Sequence, residues 1–371
     1  MVPLVLPGER IRARVFRNHA SYSEADLVEV LEASEDRVQP QCDYFASCGG
    51  CQYQHISVTA QRTWKRSQVV DVLSRIGGLD VTVKEVVGTE HVYGYRSKIT
   101  PHYDAQSRFP LRIGFQQRGT RQIVDIEKCI IASEPINAKY AEARKAIQKA
   151  PGKKKGATLL FREADGGHIE TDNRAYITQT VDKIKFRFRA GEFFQNNPYA
   201  LSLMARHVVQ QAAGHGCRFL IDTYCGSGLF SLCAADQFQH VYGVEISEPA
   251  VRAATQNALA NGVLNAEFLC GSSEKIFSKV KHLPRAETVI VVDPPRKGCD
   301  AAFLEQLFVF SPRKIVYVSC DPATQARDAK SIVAEGYQVL DVSPFDLFPQ
   351  TRHIENVITF VLPEVSEMPI V

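Results

Sequence analysis

The sequence predicts an α/β protein in three parts. A Rossmann-like, doubly wound domain (191–371) is preceded by a small β-barrel (1–38) and a mixed, mostly β central region (39–190). Three observations carry this reading. A chain of 371 residues exceeds one hydrophobic core of ordinary size, so two or three domains are expected. After Gly191, short apolar runs alternate with helix-length amphipathic stretches, the pattern of parallel strands covered by helices on both faces. At Phe219–Phe230 a strand, a glycine turn and the start of a helix follow one another.

In the first part, Ile11, Ala13 and Val15 alternate with Arg12 and Arg14, Arg17 lies nearby, and a second run spans Ala25 to Leu31. A period of two reads as short barrel strands with a basic face, or equally as ordinary solvated strands. Cys42, Cys48 and Cys51 come next, then a helix over Val58–Arg75 containing Arg62, Lys65 and Arg66. In the central region, Lys183, Lys185, Arg187 and Arg189 alternate with Ile184, Phe186 and Phe188. Such a strand turns its cations to one face, where they could hold a phosphate backbone; a solvated outer strand explains them nearly as well. Lys153–Lys155, beside Pro151 and Gly152, reads as an exposed loop. The strands expected in the last part are Phe219–Asp222, Val241–Glu245, Ala266–Leu269, Thr288–Val292, Lys314–Ser319 and Val357–Leu362.

Composition narrows the class. With 45% hydrophobic and 23% charged residues the chain has a globular make-up, and a net charge of +3 permits an RNA partner without arguing for one. No run approaches the ~20 apolar residues of a membrane span, and the first residues lack the apolar core of a secretion signal. The ten cysteines do not form a small secreted framework. An intracellular protein with reduced thiols is expected, cytoplasmic with an organellar or nuclear address left open, and monomeric.

The glycine turn points to a cofactor. Gly226 and Gly228 let the backbone bend sharply and approach a ligand. The next strand ends at Glu245, placed to accept both hydroxyls of a ribose. A nicotinamide nucleotide would prefer a third glycine, where this chain has Ser231. S-adenosylmethionine has no pyrophosphate and does not need it.

Two further strand ends carry reactive groups. Asp293-Pro-Pro-Arg296 closes one strand, where consecutive prolines stiffen the backbone at the edge that binds ligands. Methylation of exocyclic amines uses a similar motif followed by an aromatic platform, and Arg296 is not one. Cys320 lies just past a buried strand, beside Asp321 and Pro322; a buried inert thiol is the commoner fate of such a cysteine. His353 and Glu355 fall in a loop before the last strand. Together these groups suit methylation of uracil C5. A thiolate adds to C6, C5 attacks the sulfonium methyl, and a base removes the C5 proton.

Five motifs, Phe193-Phe-Gln-Asn-Asn197, Asp222-Thr-Tyr-Cys-Gly226, Asp293-Pro-Pro-Arg296, Val318-Ser-Cys-Asp-Pro322 and the Phe345–Glu355 block, occur in the order found in one family. The chain resembles, over nearly its whole length, the RNA 5-methyluridine methyltransferases that carry an RNA-binding barrel of the TRAM type and an iron–sulfur centre. The resemblance implies that Gln195, Tyr224, Glu245 and Asp293 contact S-adenosylmethionine, that Cys320 is the nucleophile and that Glu355 is the base. Details such as Asp293-Pro-Pro-Arg-Lys-Gly-Cys299 look most like fungal enzymes acting on the T-loop uridine of tRNA, position 54. The same chemistry on ribosomal RNA, or an RNA-binding module without catalysis, are the competing readings. Two departures stand out. Met1 lies almost against Pro7-Gly8-Glu9, so the barrel reads as truncated, and Tyr95-Arg-Ser-Lys98 has serine where the family has asparagine.

Cys42, Cys48 and Cys51 set three thiols around a Gly-Gly turn, a strong metal pattern, and Cys129 is the available fourth ligand. Spacing alone does not separate zinc from an iron–sulfur cluster. The resemblance covers all four positions and implies [4Fe–4S].

Overall fold

The computed structural model describes residues 1–104, 111–150 and 156–363, so the Lys153–Lys155 expectation lies outside the described residues. The chain forms two compact units that interleave along the sequence. The first comprises Met1–Trp64, His91–Phe161 and Phe348–Arg352; the second comprises Lys65–Glu90, Arg162–Leu347 and His353–Val371. Among the described residues, no helix is long and apolar enough to cross a membrane.

In the first unit, β1 (Arg10–Asn18) and β2 (Ser23–Glu32) make an antiparallel two-stranded ribbon rather than a closed barrel. Its basic face is largely neutralised. Arg10, Arg12 and Arg14 each meet a carboxylate across the ribbon: Glu32 at 2.6 Å, Glu29 at 2.8 Å and Asp26 at 3.2 Å. Such exposed pairs add little stability, but they leave few cations free. Helix α1 (Val58–Val72) follows, its residues from Lys65 onward belonging to the second unit. The helix expected to reach Arg75 passes into one π turn, Leu73–Gly77, closed by Gly78 at φ 64°. Short strands β3 (Lys98–Ile99), β4 (His102–Tyr103), β5 (Ile113–Gln116), β6 (Ile123–Asp125) and β7 (Ala157–Thr158) come next. Four of them form a sheet in the order β6-β5-β4-β7. Helix α2 (Glu134–Lys149) is anchored to it by Arg144, whose guanidinium meets Asp125 at 2.9 Å.

The second unit resumes at Arg162, within β8 (Phe161–Glu163), and continues with β9 (Ile169–Glu170) and a hairpin of β10 (Tyr176–Val181) and β11 (Ile184–Arg189). As the alternation requires, Ile184, Phe186 and Phe188 point inward, and Phe194 stacks on Phe188 with ring centres 4.4 Å apart. After α3 (Pro198–Ala212) the chain winds through β12 (Phe219–Thr223), α4 (Leu229–Ala234), β13 (His240–Glu245), α5 (Glu248–Ala260), β14 (Ala266–Cys270), α6 (Ser273–Val280) and β15 (Thr288–Val292). It closes with α7 (Ala301–Phe310), β16 (Lys314–Ser319), α8 (Pro322–Ala334), β17 (Gln338–Phe345) and β18 (Glu355–Val361).

One seven-stranded sheet orders these strands β14-β13-β12-β15-β16-β18-β17, parallel except for β18, which runs antiparallel to both neighbours. Every residue of β15 and β16 is buried, as expected of strands covered on both faces. Ile221, Ile290, Ile315, Tyr317 and Phe360 pack with Phe303 and Leu307 in the main core. Strand β17 is absent from the sequence-based expectation. A bulge between Val339 and Asp341, together with Pro344, breaks its alternation. Its buried Asp341 carboxylate is met by Lys84, His207 and the Ser343 hydroxyl. Immediately beyond β17, Asp346 forms a fully buried ion pair with Lys65 of α1 at 2.6 Å.

Candidate active site

The strand order reverses between β12 and β15, the switch point at which open α/β sheets bind ligands. Past β12 the backbone takes left-handed conformations at Tyr224, Gly226 and Gly228, with φ of 64°, 55° and 92°. Nothing stands within 4 Å of where a Gly226 Cβ would be, so this turn is an open cradle. Glu245 ends β13 and accepts hydrogen bonds from the amides of Gly226 (3.2 Å) and Ser247 (2.8 Å). Tyr224 is half-buried, edge-on to Phe303. Gln195 is buried just ahead of α3. The α3 cap, Asn197, accepts the amides of Tyr199 and Ala200 and donates to the Leu347 carbonyl at 2.9 Å. Ser231, at the missing third glycine, gives its hydroxyl and amide to buried Asp222 at 2.6 and 2.9 Å.

The reactive groups gather farther along the same sheet edge. Asp293 follows β15, half-buried, and burial together with the Asp222 charge pushes its carboxyl up to about 7. Cys320 follows β16, in the turn before α8, whose cap Asp321 accepts the amides of Ala323 and Thr324. Glu355 is the first residue of β18, not a loop residue, and lies opposite Phe345. Because β18 is antiparallel, its first residue arrives at the edge where β16 ends, with Ser319 opposite Asn356. A buried amide clasp holds the two strand ends. Gln325 of α8 donates to the carbonyls of Tyr317 (2.8 Å) and Asn356 (3.1 Å) and accepts from the Asn356 amide at 2.8 Å.

Electrostatics tie these groups together. Burial, then the charges of Glu355 and Asp293, push the Cys320 thiol up to about 11, while the positive charge of Arg296 pulls it back. Burial, with Asp293 adding, pushes Glu355 up to about 8, again opposed by Arg296. In the sequence Arg296 serves only to exclude another chemistry; in the structure its charge acts on both the thiol and Glu355. Helix α8 fastens its loop. The Thr324 hydroxyl reaches the Arg296 carbonyl (3.1 Å), Arg327 reaches the Lys297 carbonyl (3.0 Å), and Asp328 accepts the Cys299 amide (2.9 Å). Gly298 is obligatory there: its φ is 76°, and a Cβ would lie 2.6 Å from the Asp328 carboxylate. The polar face of α8 at 324, 327 and 328 is the sequence feature that could have revealed this support.

In the first unit, the cysteines lie near enough for the charges of Cys42, Cys48 and Cys129 to act on the Cys51 thiol. All four are partly exposed, and the Cys51 thiol is pushed up to about 12 by burial with further contributions from Cys129, Cys48 and Cys42. The Cys48-Gly-Gly-Cys51 turn docks on the end of β5, with the Gly49 amide on the Gln116 carbonyl at 2.9 Å. The Cys129 amide is held by Asn137 of α2. Among the described residues, no three His, Cys, Asp or Glu side chains are placed to hold a single metal ion.

Residues 126–361 match the family model described as tRNA (Uracil-5-)-methyltransferase. A Schizosaccharomyces pombe protein named tRNA (uracil(54)-C(5))-methyltransferase is 41% identical, over 97% of this chain and 73% of its own length. A Saccharomyces cerevisiae protein of the same name is 34% identical, over 96% of this chain and 68% of its own. The fold is that of the tRNA (uracil-54, C5)-methyltransferase of Pyrococcus abyssi, solved with S-adenosyl-L-homocysteine. The match has a TM-score of 0.76 at 24% identity, covering 97% of this chain and 95% of that one.

Proposed function

The chain belongs to the tRNA (uracil-5-)-methyltransferase family, and from that we infer that Cys320 and Glu355 divide the chemistry of uracil C5 methylation between them. The activity is S-adenosylmethionine-dependent methylation of C5 of a uracil in tRNA. The names of the fungal relatives favour uridine 54 as the target.

The cofactor fits the residues at the switch point. The open cradle at Gly226 admits a ligand against the backbone, and the Glu245 carboxylate beside it has capacity for ribose hydroxyls. Tyr224, Gln195 and Asp293 complete the set we assign to this pocket. When bound, S-adenosylmethionine supplies an electrophilic methyl group on a sulfonium. The Cys320 thiolate adds to uracil C6, and the displaced electron pair makes C5 nucleophilic enough to take that methyl. Glu355 in its ionised form then accepts the C5 proton; the freed pair re-forms the C5–C6 double bond and expels the thiolate. The observation that carries this reading is the antiparallel β18, which delivers Glu355 to the edge that holds Cys320.

We assign Cys42, Cys48, Cys51 and Cys129 to a [4Fe–4S] cluster. These four thiolates would hold the cluster as its ligands, a set that suits iron–sulfur chemistry. Its role here would be a cross-link joining the Gly-Gly turn to the segment before α2. We read the β1–β2 ribbon as the counterpart of a TRAM-type RNA-binding barrel, with exposed Val15, Phe16 and Tyr22 as its contact groups.

Purified chain incubated with methyl-labelled cofactor should place label in 5-methyluridine at position 54 of a tRNA transcript. A transcript with cytidine there should take none. Label in ribosomal RNA fragments alone would overturn the tRNA assignment.

A further inference from the structure

The outer face of the β10–β11 hairpin carries charge that the site above does not use. Lys185, Arg187 and Arg189 alternate outward along β11, all exposed, at the roughly 7 Å repeat of every second residue in a strand. Among the described residues none of the three is paired with a carboxylate, in contrast to the three arginines of β1. Lys183, at the hairpin turn, is paired with Asp236, and the Asp165 carboxylate is bound by Thr180, opposite Lys185. The strongest positive field therefore lies toward Arg187 and Arg189. Tyr176 is 47% exposed opposite Arg189, and both guanidiniums rest on its ring, at 4.4 Å for Arg187 and 5.7 Å for Arg189.

The strand is held on both edges. One edge pairs with β10. On the other, Asn261 accepts the Lys185 amide and donates to its carbonyl, while Asn257 accepts the Arg187 amide. Buried Asn257 also donates to the Ser227 carbonyl in the glycine turn at 3.2 Å. The cations are thus fixed on a rigid support, in register with the cofactor turn.

Resting on the reading of this chain as a tRNA methyltransferase, we propose that the β10–β11 face binds the phosphate backbone of the tRNA outside the target loop. Regularly spaced unpaired cations suit phosphates, and arginines stacked on tyrosine keep their donors free for bidentate contacts.

The test is the salt dependence of tRNA binding by the parent and by the triple variant Lys185→Gln, Arg187→Gln, Arg189→Gln. Each lost phosphate contact lowers the slope of log affinity against log salt by about 0.7–0.9, so the slope should fall by about 2. KM for tRNA should rise about tenfold or more, with kcat at saturating tRNA and cofactor affinity retained. Arg187→Lys with Arg189→Lys should keep the slope. An unchanged slope and KM in the triple variant would overturn the proposal, as would loss of binding to anionic vesicles with tRNA binding intact. A parent chain that fails to methylate tRNA would overturn the functional reading instead.

Discussion

The Glu355 carboxyl and the Cys320 thiol lie close enough that the charge on the first raises the pKa of the second, and both are held at adjacent strand ends of one sheet. Their proposed roles separate in time, so their substitutions should fail differently.

Cys320→Ala should abolish methylation and leave cofactor and RNA binding near parent values, because no C6 adduct forms. Glu355→Gln should still add and methylate but stall before elimination, accumulating a covalent protein–RNA species that survives denaturing gel electrophoresis. A gel-stable band with Cys320→Ala, or none with Glu355→Gln, would remove the covalent mechanism.

Stability should depend on pH through the same carboxyl. Burial raises Glu355 from 4.5 to about 8, so the folded chain keeps a proton that the unfolded chain has shed. That contribution is fully present below the unfolded value and is lost as pH rises through the folded one. Glu355→Gln removes that one contribution, while those of Asp222 and Asp293 stay in both proteins. Its Tm relative to the parent should climb by a few degrees between about pH 5 and pH 8. Calorimetry across that range decides it; a constant difference would mean the carboxyl is not buried in the neutral form.

Arg296 opposes the forces that raise the thiol. Alkylation of Cys320 in the parent should follow a midpoint near 11, and in Arg296→Gln the midpoint should move higher still. Adduct formation should slow in parallel, by about three- to fourfold for each unit the midpoint moves, because a scarcer thiolate is also a more nucleophilic one. Rates measured with iodoacetamide, with labelled Cys320 identified by mass spectrometry, report it directly. An unmoved midpoint would leave Arg296 no part in activating the thiol.

Glu245→Ala should weaken S-adenosylmethionine binding by about 2 kcal/mol, the scale of hydrogen bonds to a charged acceptor. Titration calorimetry reads it. Affinity equal to the parent would displace Glu245 from the cofactor assignment.

The cysteine assignment predicts a brown protein with about four irons per chain when purified without oxygen. Cys129→Ser should lose the colour. Stoichiometric zinc and no visible absorbance would replace the cluster with a single ion.

Much of the doubly wound unit was legible because its strands are continuous apolar runs. Thr288–Val292 and Lys314–Ser319 appear in the fold with the bounds the sequence implied. Strand β17 was not legible, since its bulge and Pro344 erase the period of two and its Asp341 is buried by partners distant in sequence. Glu355 was identified by motif but misplaced by element: the charge suggested a loop, whereas the residue opens a buried strand. The β1 arginines show the opposite limit. Their alternation was visible, but their neutralisation by Glu29, Glu32 and Asp26 depends on a register that spacing does not encode. Arg296 was legible only as a missing aromatic platform, because its influence on Cys320 depends on a loop folded back on α8.

The amide clasp between Gln325 and Asn356 carries no net charge and is fully buried. Acid, alkali and salt have little to act on there, so the clasp behaves as a jig, setting the gap between Cys320 and Glu355 once, at folding. Changes in the surrounding medium would then alter how often substrate arrives and how its groups ionise, while the spacing of the two tools stays as manufactured.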